Sequence, residues 1–126
     1  MKFKNMFSPI QIGPMTVKNR FVVPPMGNNF ANSDGTWSDE SVAYYGERAK
    51  GQFGLITIEA TVVHKGAKGG PKKPCLYDDN SIESLKKITD ACHEEGAKVS
   101  IQLQNAGPEG NAKNAGAPIQ AATAIA

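Results

Sequence analysis

The stretch "PPMGNNFANSDGTW", Pro24–Trp37, joins the first candidate strand to the first candidate helix. It follows "RFVV", Arg20–Val23, a short apolar run suited to a strand. Proline cannot donate a ladder hydrogen bond and is confined to strand edges, ends or bulges, so the strand stops near Pro24. Val42, Tyr45, Ala49 and Phe53 then recur at helical spacing and give one apolar stripe. Between strand and helix lies a loop rich in Asn, Ser, Asp and Gly. A dinucleotide-binding βα unit of the standard type needs G-x-G-x-x-G at this junction. The stretch contains no such pattern.

Upstream, "SPIQIGPMTVKNR" alternates apolar and polar residues around Gly13-Pro14, which predicts a short hairpin. Ser38 or Thr36 caps the helix after the long loop, Asp39 and Glu40 suit its positive end, and Gly51 and Gly54 mark its stop. "LITIEAT", Leu55–Thr61, is a nearly continuous apolar strand, the pattern of a parallel sheet covered on both faces. A Gly/Lys/Pro loop follows. The clearest helix is "DDNSIESLKKITDACHEEGAK". Asn80 with Glu83 three residues later makes an Asn-led capping box. Ile82, Leu85, Ile88 or Thr89, and Cys92 form its buried face, and Gly96 its stop. "KVSIQLQ" is the third strand.

The resulting order, βαβαβ, predicts parallel strands with right-handed crossovers. Its two main homes are an open doubly wound sheet and a (β/α)8 barrel. The missing glycine fingerprint disfavours a dinucleotide fold, although another doubly wound fold stays open. Barrels place their chemistry on loops after the carboxyl ends of strands. Those loops here begin with Pro24-Pro25-Met26-Gly27, Ala60-Thr61 and Gln104-Asn105-Ala106-Gly107, where the unusual residue choices concentrate.

The bulk composition narrows the function. The chain has 126 residues, 40% hydrophobic and 21% charged, which is globular. A net charge of +2 argues neither for nucleic acid nor for an anionic membrane. Cys75 and Cys92 form no CxxC and have no His at zinc-ligand spacing, so they read as reduced thiols of a cytoplasmic protein. No apolar run approaches a membrane span, and "MKFKNMFSPIQIG" has no secretory h-region.

Three motifs in order carry a family resemblance. "MFSPIQIGPMTVKNRFVVPPM" resembles the opening of the old yellow enzyme family, including its 2-enoate reductase and 2,4-dienoyl-CoA reductase branch. "YYGERAKGQFGLITIEAT" and "LKKITDACHEEGAKVSIQLQNAG" continue the match. The resemblance implies an FMN-binding barrel that passes hydride from NAD(P)H, through the flavin, to an activated C=C bond of a small enoate or enone. It implies that Pro24, Pro25, Met26 and Gly27 pack against the flavin, that Ala60 lies beside it, and that Gln102 hydrogen-bonds its pyrimidine ring. Asn29 stands near where some relatives touch substrate with a Tyr. No catalytic residue of the family falls within the chain. Longer relatives add an iron–sulfur cluster and FAD, on which this stretch is silent, as it is on a homo-oligomer of the full-length protein.

The residue chemistry agrees with these roles. Prolines make a wall of low entropy cost, Gly27 lets backbone approach closely, and Gln102 carries both a donor and an acceptor for an imide edge. The blander readings are a simple strand terminator at Pro24-Pro25 and an ordinary edge-strand amide at Gln102. Gln102 lies in a run expected to be buried, where a polar group needs a partner. Glu59 reads as a salt-bridged residue at the barrel mouth rather than a substrate ligand. His64 and His93 read as non-catalytic, Trp37, Tyr44 and Tyr45 as packing residues, and Lys65, Lys68, Lys72 and Lys73 as a solvated loop.

The chain departs from the usual pattern at Gly27, where many relatives carry Cys or Thr, and at Asn105 and Pro108, where "HAGR" is replaced by "NAGP". A barrel takes about 250 residues. Residues 1–126 are therefore expected to be the N-terminal fragment of an FMN-binding barrel domain, ending in the low-complexity tail "GAPIQAATAIA", with no second domain. The isolated segment is expected to be inactive. The rival expectation is a complete, non-catalytic half-barrel module that self-associates or binds a partner.

Overall fold

Ile10–Ile12 (β1) and Met15–Val17 (β2) form the antiparallel hairpin expected around Gly13-Pro14. Ile12 pairs with Met15, and Gly13 takes φ +55, which a side chain would resist in so tight a turn. The computed structural model describes residues 3–123, so the last three residues of the low-complexity tail lie outside it.

A three-stranded parallel sheet follows, built from Val22–Val23 (β3), Leu55–Val62 (β4) and Lys98–Gln104 (β5) in the order β3-β4-β5. Asp39–Lys50 (α1) crosses from β3 to β4, and Ile82–Glu94 (α2) from β4 to β5. Both helices cover one face. Val23, Ile56 and Ile58 from the strands pack there against Tyr45 and Ala49 of α1 and Ile88 and Cys92 of α2. Sequential strands as neighbours, with crossover helices outside, make the repeating wall of a (β/α)8 barrel. On the opposite face the side chains are more polar and open. The Thr57 and Ser100 hydroxyls hydrogen-bond across β4 and β5 at 2.9 Å, and Val22 is 48% exposed.

The helix boundaries show where local signals compete. Ser38 caps α1 as expected, its Oγ accepting the Ser41 N–H. The helix ends at Lys50, with Gly51 closing it, so Phe53 falls outside the helical stripe. Phe53 packs instead against the core from the following loop and stands edge-on to Phe21. At α2 the Asn80 capping box does not form. Asp78, two residues earlier, accepts the Asn80 N–H, and Asp79–Ser81 wind as a 3-10 turn before the helix begins. That shift leaves Ile82 in the first turn, 58% exposed, while Ile88 and Cys92 are buried. Gly96, at φ +72, ends the segment as expected.

Cys75 and Cys92 are both free and buried. Burial pushes the Cys92 thiol up to about 11, so it stays protonated and inert. Ala112–Ala115 (α3) is a single turn near the end of the described residues. No helix among those residues is long and apolar enough to cross a membrane.

Candidate cofactor site at the strand ends

The site is organised by an irregularity in β4. Ile58 pairs with Ile101 and Thr61 with Leu103, so Glu59 and Ala60 together oppose the single residue Gln102. A β-bulge of this kind re-aims side chains and leaves backbone groups without ladder partners. Here side chains take them up. The Glu59 N–H donates to the Tyr45 hydroxyl at 3.0 Å, and the Thr61 hydroxyl donates to the Glu59 carbonyl at 2.8 Å. Tyr45 is 1% exposed, and burial holds its phenol well above the ordinary tyrosine range. It is a packing residue, as the sequence reading has it, and also the acceptor that completes the bulge. A tyrosine on a buried stripe was the available signal, because its hydroxyl seeks a partner there.

The bulge places Ala60 opposite Gln102, two of the residues assigned to the flavin. Gln102 is exposed, against the expectation of a buried amide. The reason is that β5 is the edge strand of the described sheet and the face opposite the helices is uncovered. Leu103, beside it, is 63% exposed.

At the end of β3, Pro24, Met26 and Gly27 are exposed and Pro25 is half-buried. They form a short apolar ledge, with Met26 46% exposed. The ledge is tied to the bulge through Glu59, whose Oε2 accepts the Asn28 N–H at 3.2 Å. Asn28 then turns the chain, its Oδ1 accepting the Phe30 N–H at 2.8 Å. Asn29 is exposed in the left-handed region at φ +59, which asparagine tolerates. Glu59 is fully buried yet belongs to no ion pair among the described residues, which corrects the expected salt bridge. Burial raises its carboxyl, opposed by the Asn28 hydrogen bond and by the charge of Lys73. Its Oε1 and the Asn28 Nδ2 are buried without partners among the described residues.

The loop between β4 and α2 is only partly the solvated basic loop that the sequence suggests. Lys68 is 5% exposed and donates to the Ser33 carbonyl at 3.0 Å. The Cys75 N–H donates to the Gly35 carbonyl at 2.9 Å. These bonds dock the loop onto the one after β3. His64 accepts the Gly66 N–H within its own turn, and His93 is exposed late in α2. Trp37 is buried, and Tyr44 lies between Phe30 and the Arg48 guanidinium.

An exposed apolar ledge, a small residue and an amide side chain stand at adjacent strand ends, residue types that could hold one edge and part of one face of an isoalloxazine. A family match spans residues 5–124. The chain belongs to the NADH:flavin oxidoreductase / NADH oxidase family. Its fold is the N-terminal part of an old yellow enzyme barrel. A 2-naphthoyl-CoA reductase solved with 2-naphthoyl-CoA aligns with 90% of the chain at TM-score 0.85 and 33% identity. The old yellow enzyme from Pichia sp. AKU4542 aligns with 90% at TM-score 0.84 and 34% identity. The homologue from Zymomonas mobilis aligns with 89% at TM-score 0.83 and 31% identity. The matched segment is 17%, 30% and 31% of those chains respectively, so the family member described here spans a third or less of each.

Proposed function

We propose that residues 1–126 are the N-terminal portion of an FMN-binding barrel domain in an NAD(P)H-dependent oxidoreductase of ene-reductase type. The observation that carries this reading is the bulge at Glu59-Ala60. Within a chain of this family, it sets a small residue and an exposed amide beside an apolar ledge where barrels bind cofactors. Pro24, Pro25, Met26 and Gly27 would form the wall, Ala60 would allow close approach, and Gln102 would offer its donor and acceptor to the pyrimidine edge. Asn29 presents an amide beyond the ledge, where a small enoate or enone could meet it. Bound FMN supplies the hydride chemistry; these residues bind and orient it. Two buried thiols, both free, support a reducing cytoplasmic setting.

Gln102→Ala in the full-length protein tests the assignment. Losing two neutral hydrogen bonds, each worth about 1 kcal/mol, should weaken FMN binding by about tenfold or more. Unchanged affinity in a fluorescence titration, with an unchanged flavin potential, would remove Gln102 from the site.

A further inference from the structure

Gly27 is the ledge residue without a side chain, and the end of another side chain closely approaches the space that one would take. A Cβ placed on Gly27 would lie 3.1 Å from the Lys73 Nζ and 3.7 Å from the Glu59 Oε2. The cation therefore comes from a different loop and sits on the ledge. It is not a swinging surface lysine by position. Lys73 is half-buried, and its backbone neighbourhood is pinned to the end of β4. The Val62 N–H donates to the Pro74 carbonyl at 2.9 Å, the Leu76 N–H donates to the Val62 carbonyl at 2.8 Å, and Pro74 is fully buried. Lys73 makes no ion pair among the described residues, although the buried Glu59 carboxylate faces the same point.

We propose that Lys73 is a cation built into the ledge: its ammonium occupies the side-chain space of Gly27, steered there by Glu59, and stabilises negative charge gained by a flavin bound on that ledge. The inference rests on the flavin reading above. Hydride from a reduced nicotinamide brings two electrons and one proton, so one negative charge remains on the isoalloxazine. A cation a few ångströms away favours that charged state by Coulomb's law, and more strongly where water is excluded. Glycine at position 27 then leaves the lysine its room. A Cβ alone asks the ammonium to give by a few tenths of an ångström, whereas a branched side chain would push it off the ledge.

The test uses the full-length protein loaded with FMN and reads sulfite affinity and the two-electron midpoint potential. Sulfite adds to the oxidised flavin and leaves it negatively charged, so it reports the same stabilisation without turnover. Lys73→Met should weaken sulfite binding about tenfold and lower the midpoint by about 30 mV, the equivalent of tenfold for a two-electron couple. Lys73→Arg should stay near wild type. Gly27→Val, whose branched side chain would take the ammonium's place, should reproduce Lys73→Met, and the double variant should fall no further, since both act through one contact. If Lys73→Met does not retain flavin, Lys73→Gln gives the same reading. Wild-type potential and sulfite affinity in the Met or Gln variant would overturn the proposal, as would full additivity with Gly27→Val. Failure of the wild-type protein to bind FMN would instead refute the flavin reading.

Discussion

Tyr45→Ala is expected to be the most damaging single substitution in this segment. The side chain is 1% exposed and packs among Val23, Ala49, Ile56, Ile58 and Ile88. Truncating a buried aromatic costs about 3–5 kcal/mol through lost transfer energy and a residual cavity. The variant also leaves the Glu59 N–H without its acceptor, inside a bulge where β5 cannot supply another. A buried donor left unsatisfied costs about 1–3 kcal/mol more. Tyr45→Phe separates the two effects: it keeps the ring and removes only the hydroxyl, so it should show the smaller loss alone. Urea unfolding of the full-length protein measures both variants. If Tyr45→Phe matches wild type, the hydroxyl does not hold the bulge. If Tyr45→Ala loses less than Phe predicts, the packing argument is wrong.

Gly35→Ala comes next. Gly35 has φ +94, a conformation that L side chains rarely adopt, and a Cβ there would lie 2.7 Å from the Cys75 Sγ and 2.8 Å from its Cβ. Strained backbone and core overpacking each cost about 1–3 kcal/mol, so the sum is about 2–6 kcal/mol. The damage should also be directional. Gly35 receives the Cys75 N–H, and Cys75 follows Lys73-Pro74 in the loop that brings the ammonium to Gly27. Limited proteolysis should therefore cut first between β4 and α2. Gly35→Ala combined with Cys75→Ala should recover part of the stability, because the nearest clashing atom is gone. Undiminished stability in the single variant would show that the loop relaxes freely around Cys75.

Much of this could be read in the residues, and the rest depended on contacts that no local pattern carries. Gly13-Pro14, Pro24-Pro25, Ser38 and Gly96 act within a few positions of themselves, and each appears where its chemistry places it. The end of β3 at Val23 follows directly from proline's missing N–H. The bulge is different. Glu59 and Ala60 look like two more strand residues, and only the register against β5 makes them share Gln102. Tyr45 is legible as a core residue whose hydroxyl needs a partner, but the partner itself is not, because it is a backbone group in β4, beyond the helix. Asn80 lost its cap to Asp78, a contest between two plausible residues two positions apart. The exposure of Gln102 is not legible in β5, because burial depends on what covers a sheet face, which a strand's own sequence does not state. The four lysines of the long loop look equivalent in sequence. Geometry alone sends Lys68 to Ser33 and Lys73 to Gly27.

The ledge at Pro24–Gly27, Ala60 and Gln102 are expected to belong to one flavin site. The most direct measurement is a titration of the full-length protein, stripped of cofactor, with FMN, followed by flavin fluorescence and calorimetry. One FMN should bind per chain with quenched fluorescence, and Met26→Asp, which puts a charge on the apolar ledge, should weaken that binding. No stoichiometric binding by the wild-type protein, or full affinity in Met26→Asp, would contradict it.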